Sequence, residues 1–235
     1  TAGFNNLNHA IAAYKRFNKI VCVSKQAELS FEQLFGISKN VVTKSNIFDF
    51  AKIRKLSLEE IIVAPHKTFC AIGRLCTAKN YPLLLEAMNL LNKKGLSFDL
   101  WLIGDGEEKE KLIKLKQELC LYNLHLLGGK NNPYSYLSQA DIYVSSSIYE
   151  GLSTTTIEAL ILGKPCVVTD CTGMRDILGD SEYGMIVPIS AKALAEGMEK
   201  LLVSNELASH YSQKALERAE YFSPEKCIKE ITDLF

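Results

Sequence analysis

Short apolar segments alternate with longer amphipathic segments from about residue 66 onward. The apolar segments have the length of buried strands and lie at 68–73, 98–103, 124–127, 141–145, 166–169 and 185–187. Between them, apolar residues recur at helical spacing over 80–94, 107–120 and 133–140, and around Glu158. Strands that alternate with helices pair in parallel and are covered on both faces. The pattern therefore predicts an α/β fold with a Rossmann-like, doubly wound parallel sheet.

The two ends of the chain follow other patterns. After residue 190 the sequence is helical throughout, with Ser190 and Ser223-Pro224 as predicted helix starts. The opening segment reads as strand 19–23, helix 25–35 and strand 40–43, a βαβ half-unit that cannot cover both faces of a sheet alone. Residues 49–62 are the predicted linker. We therefore predict a remnant of one domain with its linker over 1–57 and a larger Rossmann-like domain over 58–235.

Composition excludes several classes of function. Lys+Arg and Asp+Glu both number 27, so the chain lacks the basic excess of a nucleic-acid-binding protein. No apolar run approaches the ~20 residues that span a bilayer, and no signal peptide is visible. The seven cysteines form no C-x-x-C pair, which predicts buried free thiols in a cytoplasmic protein. Because the chain begins at Thr1 without methionine, we expect it to be part of a longer protein.

Two carboxylates flank the turn Glu150-Gly-Leu-Ser-Thr-Thr-Thr-Ile-Glu158. A predicted strand ends just before this turn and a predicted helix begins within it. In open α/β sheets, ligands bind at the carboxyl ends of the strands. Free N–H groups and the positive end of the helix dipole also favour anions there. The turn therefore predicts a site for a ligand that carries both phosphate and hydroxyl groups.

A set of short motifs recurs in one known family, in this order and at these spacings. The motifs are Gly73-Arg74-Leu75, Lys79-Asn80, Gly104-Asp105-Gly106, Asn132-Pro133, Ala140-Asp141, Ser147, Glu150-Gly151-Leu152 and Glu158-Ala159-Leu160. Over residues 66–190 the chain resembles the C-terminal half of family 4 (group 1) retaining glycosyltransferases, which have the two-domain GT-B architecture. The opening segment is similar to the end of that family's N-terminal domain, through Val23-Ser24 and 46–49.

The resemblance implies a retaining glycosyltransferase that moves a sugar from a nucleoside-diphosphate sugar to a glycan or lipid-linked acceptor. This chain would be chiefly the donor-binding half, and residues 1–57 would belong to the acceptor-side domain. The family implies a cytoplasmic setting in polysaccharide biosynthesis, no metal or cofactor, and no nucleic-acid partner. It leaves open peripheral membrane contact through the remainder of the N-terminal domain. Two alternatives stay open, namely a non-catalytic nucleotide-sugar binding module and a GT-B-fold epimerase or phosphorylase.

Two cations are predicted to bind the diphosphate. Arg74 follows a strand end and Lys79 precedes the next helix, so both can face the ligand edge. A guanidinium binds phosphate in a bidentate manner and an ammonium acts as a point charge. Both would also stabilise the charge that develops on a departing nucleoside diphosphate, and the resemblance implies that they act with Glu150 in catalysis. The alternative is a solvated surface arginine and lysine.

The carboxylates have competing interpretations. The resemblance implies that Glu158 holds the ribose hydroxyls; the alternative is a capping box with Thr155 as N-cap and Glu158 at N3. It likewise implies that Glu150 contacts the transferred sugar, with the N–H groups of Gly151 and Leu152 beside the sugar or diphosphate. The alternative for Glu150 is a solvated turn carboxylate.

The remaining candidates carry weaker signals. One of Thr154 and Thr155 is predicted to donate to phosphate, although hydroxyl residues are also common helix caps. The resemblance places Gly73 at the donor and the nucleobase against Leu127. Gly104-Asp-Gly106 is not the G-x-G-x-x-G fingerprint, and the four histidines lack partners at metal-ligand spacing. Where many relatives have a glutamate after Gly173, this chain offers Asp176 as a shorter equivalent.

Overall fold

The structure is a computed structural model that describes residues 7–234. Its opening unit contains α1 (Leu7–Tyr14), β1 (Ile20–Cys22), α2 (Lys25–Phe35) and β2 (Val41–Thr43). The two strands pair in parallel, with Ile20 opposite Val41, which confirms the βαβ half-unit. Helix α1 was not predicted; its Tyr14 ring packs edge-on against Phe31 of α2, with 4.9 Å between centroids.

A helix occupies part of the predicted linker. Helix α3 (Phe50–Leu56) begins at Asp49, whose carboxylate accepts a hydrogen bond from Lys52 N at 2.9 Å. Phe50 and Ile53 are buried against the larger sheet. Part of the predicted linker over 49–62 is therefore helical, and a helix of seven residues is too short for its apolar period to be recognised from sequence.

Six parallel strands form the main sheet, in the order β5-β4-β3-β6-β7-β8. They are β3 (Thr68–Ile72), β4 (Asp99–Ile103), β5 (Leu124–Gly128), β6 (Ile142–Ser145), β7 (Cys166–Thr169) and β8 (Met185–Val187). Each lies where the sequence predicted a strand. The order reverses between β3 and β6, so the sheet has a switch point at which ligands bind in open α/β folds.

Eight helices follow α3 within the described residues. They are α4 (Tyr81–Lys93), α5 (Lys109–Glu118), α6 (Tyr134–Gln139), α7 (Thr154–Ile161), α8 (Met174–Leu178), α9 (Ala191–Val203), α10 (Asn205–Ala219) and α11 (Pro224–Thr232). One face of the sheet packs against α4, α5 and α9, and the other against α3, α6, α7, α8 and α10. The doubly wound α/β prediction is confirmed.

All seven cysteines are free thiols, and five of them are buried, as expected for core residues. Burial raises the pKa of Cys70 and Cys166, which keeps these thiols protonated. Among residues 7–234, no helix has the length and apolar character needed to cross a membrane.

Candidate functional site

The loops that follow β3 and β4 approach each other closely. Gly73 N donates to Ile103 O at 3.0 Å. A Cβ at Gly104 would lie 1.9 Å from Gly73 O, and one at Gly106 would lie 2.4 Å from Leu75 O. The glycines of the Gly104-Asp-Gly106 motif are thus explained by backbone contact between two loops, which fixes the carboxyl edge of the sheet.

Lys79 and Glu150 form an ion pair at this edge. Lys79 Nζ lies 2.6 Å from Glu150 Oε1, and the two side chains are only 18% and 12% exposed. A Cβ at Gly73 would lie 2.9 Å from Lys79 Cε, so the glycine leaves room for the lysine stem. Glu150 is therefore a partly buried, paired carboxylate, and the alternative of a solvated turn residue is wrong.

Ser147 also binds Glu150. Its hydroxyl donates to Glu150 Oε1 at 2.8 Å, and the side chain is fully buried. The Ser147 carbonyl accepts a hydrogen bond from Thr169 Oγ1 at 2.6 Å, which ties it to the end of β7. From sequence, Ser147 stands out only as part of a motif, and its role as a partner of Glu150 is not predicted. The available signal was the polar run at 145–147 that ends a buried strand.

The turn between Glu150 and α7 contacts the opening unit. Ser24 Oγ donates to Gly151 O at 2.7 Å. A Cβ at Gly173 would lie 2.9 Å from the same carbonyl oxygen, so a third segment packs against the turn. Within residues 7–234, the N–H groups of Gly151 and Leu152 donate to no protein acceptor, which leaves them available to a ligand.

Ser153, not Thr155, directly precedes α7. Glu158 is consequently the fifth residue of the helix, and the capping box with Thr155 as N-cap is wrong. The Thr155 hydroxyl is held by Tyr143 OH at 2.8 Å, below the surface. Thr154 is exposed and lines the cleft beside Glu158. Of the two threonines, Thr154 has the hydroxyl that faces an incoming ligand.

Glu158 projects into a cleft of about 510 Å³ between α7, α6 and α3. Tyr134 OH donates to Glu158 Oε1 at 2.9 Å. Burial raises the pKa of Glu158, and the hydrogen bond from Tyr134 opposes that shift. Burial and the adjacent carboxylate raise the pKa of Tyr134 to about 12, so this phenol is a donor at neutral pH. Asp49 and Lys52 line the far wall of the cleft.

Arg74 and Leu127 lie apart from these carboxylates. Arg74 Nη2 is 3.2 Å from Glu107 Oε2, and the two side chains are 73% and 57% exposed. Exposed ion pairs contribute little to stability, so the Arg74 side chain can turn toward a ligand at small cost. Leu127, in β5, is half-buried and packs against the core that α6 covers.

Asp176 lies at the junction with the opening unit. Its carboxylate accepts a hydrogen bond from Gln26 N, in the first turn of α2, at 3.3 Å. The side chain thus points toward the N-terminus of another helix.

Two histidines meet a carboxylate at the opposite edge of the sheet. His66 Nδ1 and His125 Nε2 lie 2.9 Å and 3.0 Å from the two oxygens of Asp99, at the amino end of β4. Burial would raise the pKa of Asp99, but the hydrogen bonds to His125 and His66 hold it below its ordinary value. Within residues 7–234, no cluster of three or more His, Cys, Asp or Glu side chains could hold a metal ion.

Comparison with known sequences identifies relatives. The sequence model of the family described as Glycosyl transferases group 1 matches residues 55–218. An uncharacterized glycosyltransferase of Methanocaldococcus jannaschii is 33% identical over 94% of this chain and 64% of its own length. The N-acetylgalactosamine-N,N'-diacetylbacillosaminyl-diphospho-undecaprenol 4-alpha-N-acetylgalactosaminyltransferase of Campylobacter jejuni is 31% identical over 92% of this chain and 60% of its own length. The chain therefore spans less than two thirds of the length of these relatives.

Solved structures of the same fold also match. A mutant of S. aureus TarM in complex with fondaparinux, alpha-GlcNAc-glycerol and UDP has a TM-score of 0.82 and 26% identity, covering 96% of this chain and 45% of TarM. Anabaena HepE has a TM-score of 0.85 at 19% identity, covering 97% of this chain and 66% of HepE. The likeness to HepE shows the fold alone. Both matches support the Rossmann-like α/β fold described above.

Proposed function

Because this chain belongs to the group 1 glycosyl transferases, we propose that it is the donor-binding half of a retaining family 4 enzyme. The enzyme would transfer a sugar from a nucleoside-diphosphate sugar to a glycan or lipid-linked acceptor. The observation that carries this proposal is the Lys79–Glu150 ion pair at the switch point of the sheet, in the turn that leads into α7, whose fifth residue is Glu158. A diphosphate, a sugar and a ribose match that arrangement of one cation and two carboxylates.

The names of the relatives support the two substrate classes. The TarM mutant was crystallised in complex with fondaparinux, alpha-GlcNAc-glycerol and UDP. The name of the Campylobacter relative specifies an acceptor that is linked to diphospho-undecaprenol. In this proposal the acceptor and any contact with the cytoplasmic face of a membrane involve the N-terminal domain, of which residues 7–43 form part.

Each residue of the edge has a role in the proposal. Lys79 exchanges Glu150 for the diphosphate when the donor enters, and Arg74 leaves Glu107 to join it. Glu150, freed from the ion pair but still held by Ser147, accepts hydrogen bonds from sugar hydroxyls. The remaining contacts are backbone N–H groups or single side chains. They are Gly151 and Leu152 with the sugar or diphosphate, Thr154 with phosphate, Glu158 with ribose, Gly73 beside the diphosphate, and Leu127 with the base.

The proposed mechanism is a front-face displacement. The bond from the anomeric carbon to the leaving phosphate oxygen breaks while the acceptor oxygen attacks from the same side. The leaving phosphate takes the acceptor proton, and Lys79 and Arg74 stabilise its developing charge, so the proposal requires no metal or cofactor. Isolation of the protein with a sugar covalently bound to one of its side chains would contradict this mechanism.

Calorimetric titration with UDP, GDP and ADP tests the donor site. We expect saturable binding of one nucleotide to the wild-type protein. Because hydrogen bonds to charged groups are stronger than neutral ones, Lys79→Ala and Glu158→Gln should each weaken binding roughly tenfold. The matched control is Lys114→Ala, since Lys114 is exposed and its ion-pair partner is the surface residue Glu118, 3.8 Å away.

The outcomes separate the proposal from its alternatives. Binding that neither substitution weakens would place the nucleotide elsewhere on the protein. Absence of binding to any of the three nucleotides would contradict a donor-binding function for this chain. Binding by the wild-type protein without transfer to any acceptor would favour the non-catalytic binding module.

A further inference from the structure

Tyr134 is the only described side chain that hydrogen-bonds the Glu158 carboxylate. Its hydroxyl donates to Oε1 at 2.9 Å, and within residues 7–234 no donor reaches Oε2. Both residues line the same cleft, and Oε2 keeps its full capacity to accept hydrogen bonds from a ligand that enters there. The two residues are 24 positions apart and lie on different helices, α6 and α7.

The position of Tyr134 is itself fixed. Its backbone N donates to Asn132 Oδ1 at 3.2 Å, and Asn132 Nδ2 donates to Leu56 O at 2.8 Å. Ser135 Oγ donates to the same Leu56 carbonyl at 3.0 Å. The first turn of α6 is thereby tied to the last turn of α3, and the Tyr134 ring is held between two anchored helices.

A phenol at this position has two consequences for the carboxylate. An ionised carboxylate can only accept hydrogen bonds, so a neutral tyrosine hydroxyl supports the ionised form of Glu158. The hydrogen bond to Oε1 also restricts the rotation of the Glu158 side chain before a ligand binds. Binding therefore costs less side-chain entropy than it would with a freely rotating glutamate. Oε2 is then presented in one orientation before the ligand arrives.

We propose that Tyr134 is a positioning residue that presents Glu158 to the ribose hydroxyls of the donor nucleotide. This inference rests on the proposed function, which assigns the ribose to Glu158. Tyr134 acts through the carboxylate, and its contribution is to ribose recognition and not to the folding of α6. The site therefore distinguishes ribose from deoxyribose through a pair of residues.

The test compares ribose recognition in matched variants. The affinities of UDP, GDP and ADP and of their 2′-deoxy and 3′-deoxy analogues are measured by calorimetry for wild type, Tyr134→Phe and Glu158→Gln. The control is Tyr136→Phe in the same helix, because the Tyr136 ring packs against Trp101 at 5.8 Å and its hydroxyl makes no hydrogen bond within residues 7–234.

The expected result is a loss of discrimination and not only of affinity. In the wild type, the deoxy analogue that lacks the hydroxyl bound by Glu158 should bind roughly tenfold more weakly than its parent nucleotide. This is the effect expected for the loss of one hydrogen bond to a charged group. In Tyr134→Phe that ratio should fall to about threefold or less, while binding of the deoxy analogue itself stays near the wild-type value. Tyr136→Phe should preserve the ratio.

Failure of this inference and failure of the proposed function are distinguishable. A wild-type ratio that survives in Tyr134→Phe but is lost in Glu158→Gln overturns the role of Tyr134 and leaves the proposed function intact. Equal weakening of parent and deoxy nucleotides in Tyr134→Phe indicates a merely structural role and also overturns the inference. Absence of binding to every nucleotide by the wild type overturns the donor site and this assignment with it.

Discussion

At the scale of single residues, the two carboxylates of the site have different surroundings. Glu150 is paired with Lys79 and accepts a second hydrogen bond from Ser147. Glu158 has no cation within salt-bridge distance among residues 7–234, and its described partner is the neutral Tyr134 hydroxyl. Glu150 is paired with a cation that a diphosphate can bind in its place. Glu158 lies in a partly desolvated cleft.

The surroundings of Glu158 predict a pH dependence of nucleotide binding. Because burial raises its pKa, Glu158 takes up a proton at a higher pH than an ordinary glutamate, and the protonated form no longer accepts two hydrogen bonds. Affinity should fall as the pH is lowered through that raised pKa, by at most about tenfold per pH unit for one proton. Tyr134, Asp49 and Lys52 are the other titratable groups that face this cleft.

Calorimetry measures this dependence, with Glu158→Gln as the control. The titrations run from about pH 4.5, near the ordinary pKa of a glutamate, to about pH 8. The variant cannot titrate at position 158, so the part of the acidic limb that belongs to Glu158 should disappear from it. Identical pH profiles for the two proteins would contradict the prediction.

The contact at Gly104 predicts a strict need for glycine. A Cβ there would lie 1.9 Å from Gly73 O, and backbone atoms at the junction of two strands cannot move away independently. Gly104→Ala should lower the free energy of unfolding by about 1–3 kcal/mol or more, as for overpacking in a core. Gly129→Ala is the matched control, since nothing lies within 4 Å of its Cβ position. Urea denaturation of both variants gives the comparison, and equal stability would contradict the argument.

At the scale of secondary-structure elements, α3 and α6 are coupled through polar groups. The end of α3 leaves carbonyl groups without helical partners. Asn132 Nδ2 and Ser135 Oγ both donate to Leu56 O, and Ser138 Oγ donates to Ser57 O at 2.9 Å. Helix α3 is therefore attached to the larger domain through α6, although it lies where the sequence predicted a linker.

Ser135→Ala tests this coupling. Ser135 is fully buried, so its loss leaves one hydrogen bond fewer at the end of α3 and should cost about 1 kcal/mol in the free energy of unfolding. Because α6 carries Tyr134, nucleotide affinity should fall as well. Ser209→Ala, an exposed serine in α10 without a side-chain hydrogen bond in the described chain, should change neither quantity. Urea denaturation and calorimetry measure the two effects, and a variant as stable as wild type would refute the coupling.

At the scale of the whole molecule, the opening unit contacts the proposed donor site directly. Ser24 both caps α2, by accepting from Ala27 N at 3.1 Å, and donates to Gly151 O in the turn after Glu150. Lys44, just after β2, lies 3.3 Å from Glu230 in α11. The position of the opening unit is thus linked to the turn that we assign to the sugar.

Ser24→Ala should therefore affect more than the cap of α2. Loss of an N-cap costs about 1 kcal/mol, and loss of the bond to Gly151 adds a second cost and releases the turn. Ser190→Ala is the matched control, because Ser190 caps α9 through Ala193 N at 3.1 Å and makes no long-range hydrogen bond within residues 7–234. Unfolding experiments should find Ser24→Ala less stable than the control. Calorimetry with a bound nucleoside diphosphate should show weaker binding in Ser24→Ala alone; equal effects in both variants would contradict the link.

The sequence by itself determined the strands of the main sheet and the sheet's class. Strands such as 68–72 and 142–145 are recognisable because their signal is local: a run of apolar residues between turn residues. The ligand edge follows from the same information, since the carboxyl ends of parallel strands share one side. The short helices α3 and α8 were missed because five to seven residues give too few apolar repeats to detect.

Only the tertiary structure decided which side chains meet. Lys79 and Glu150 are 71 residues apart, and their contact depends on β3 and β6 being neighbours in the sheet. Tyr134 reaches Glu158 because α6 crosses the face of the sheet on which α7 packs. Local patterns record whether a segment is buried and extended or helical. They hold no information on strand order or helix placement, and these arise from packing between segments distant in the chain.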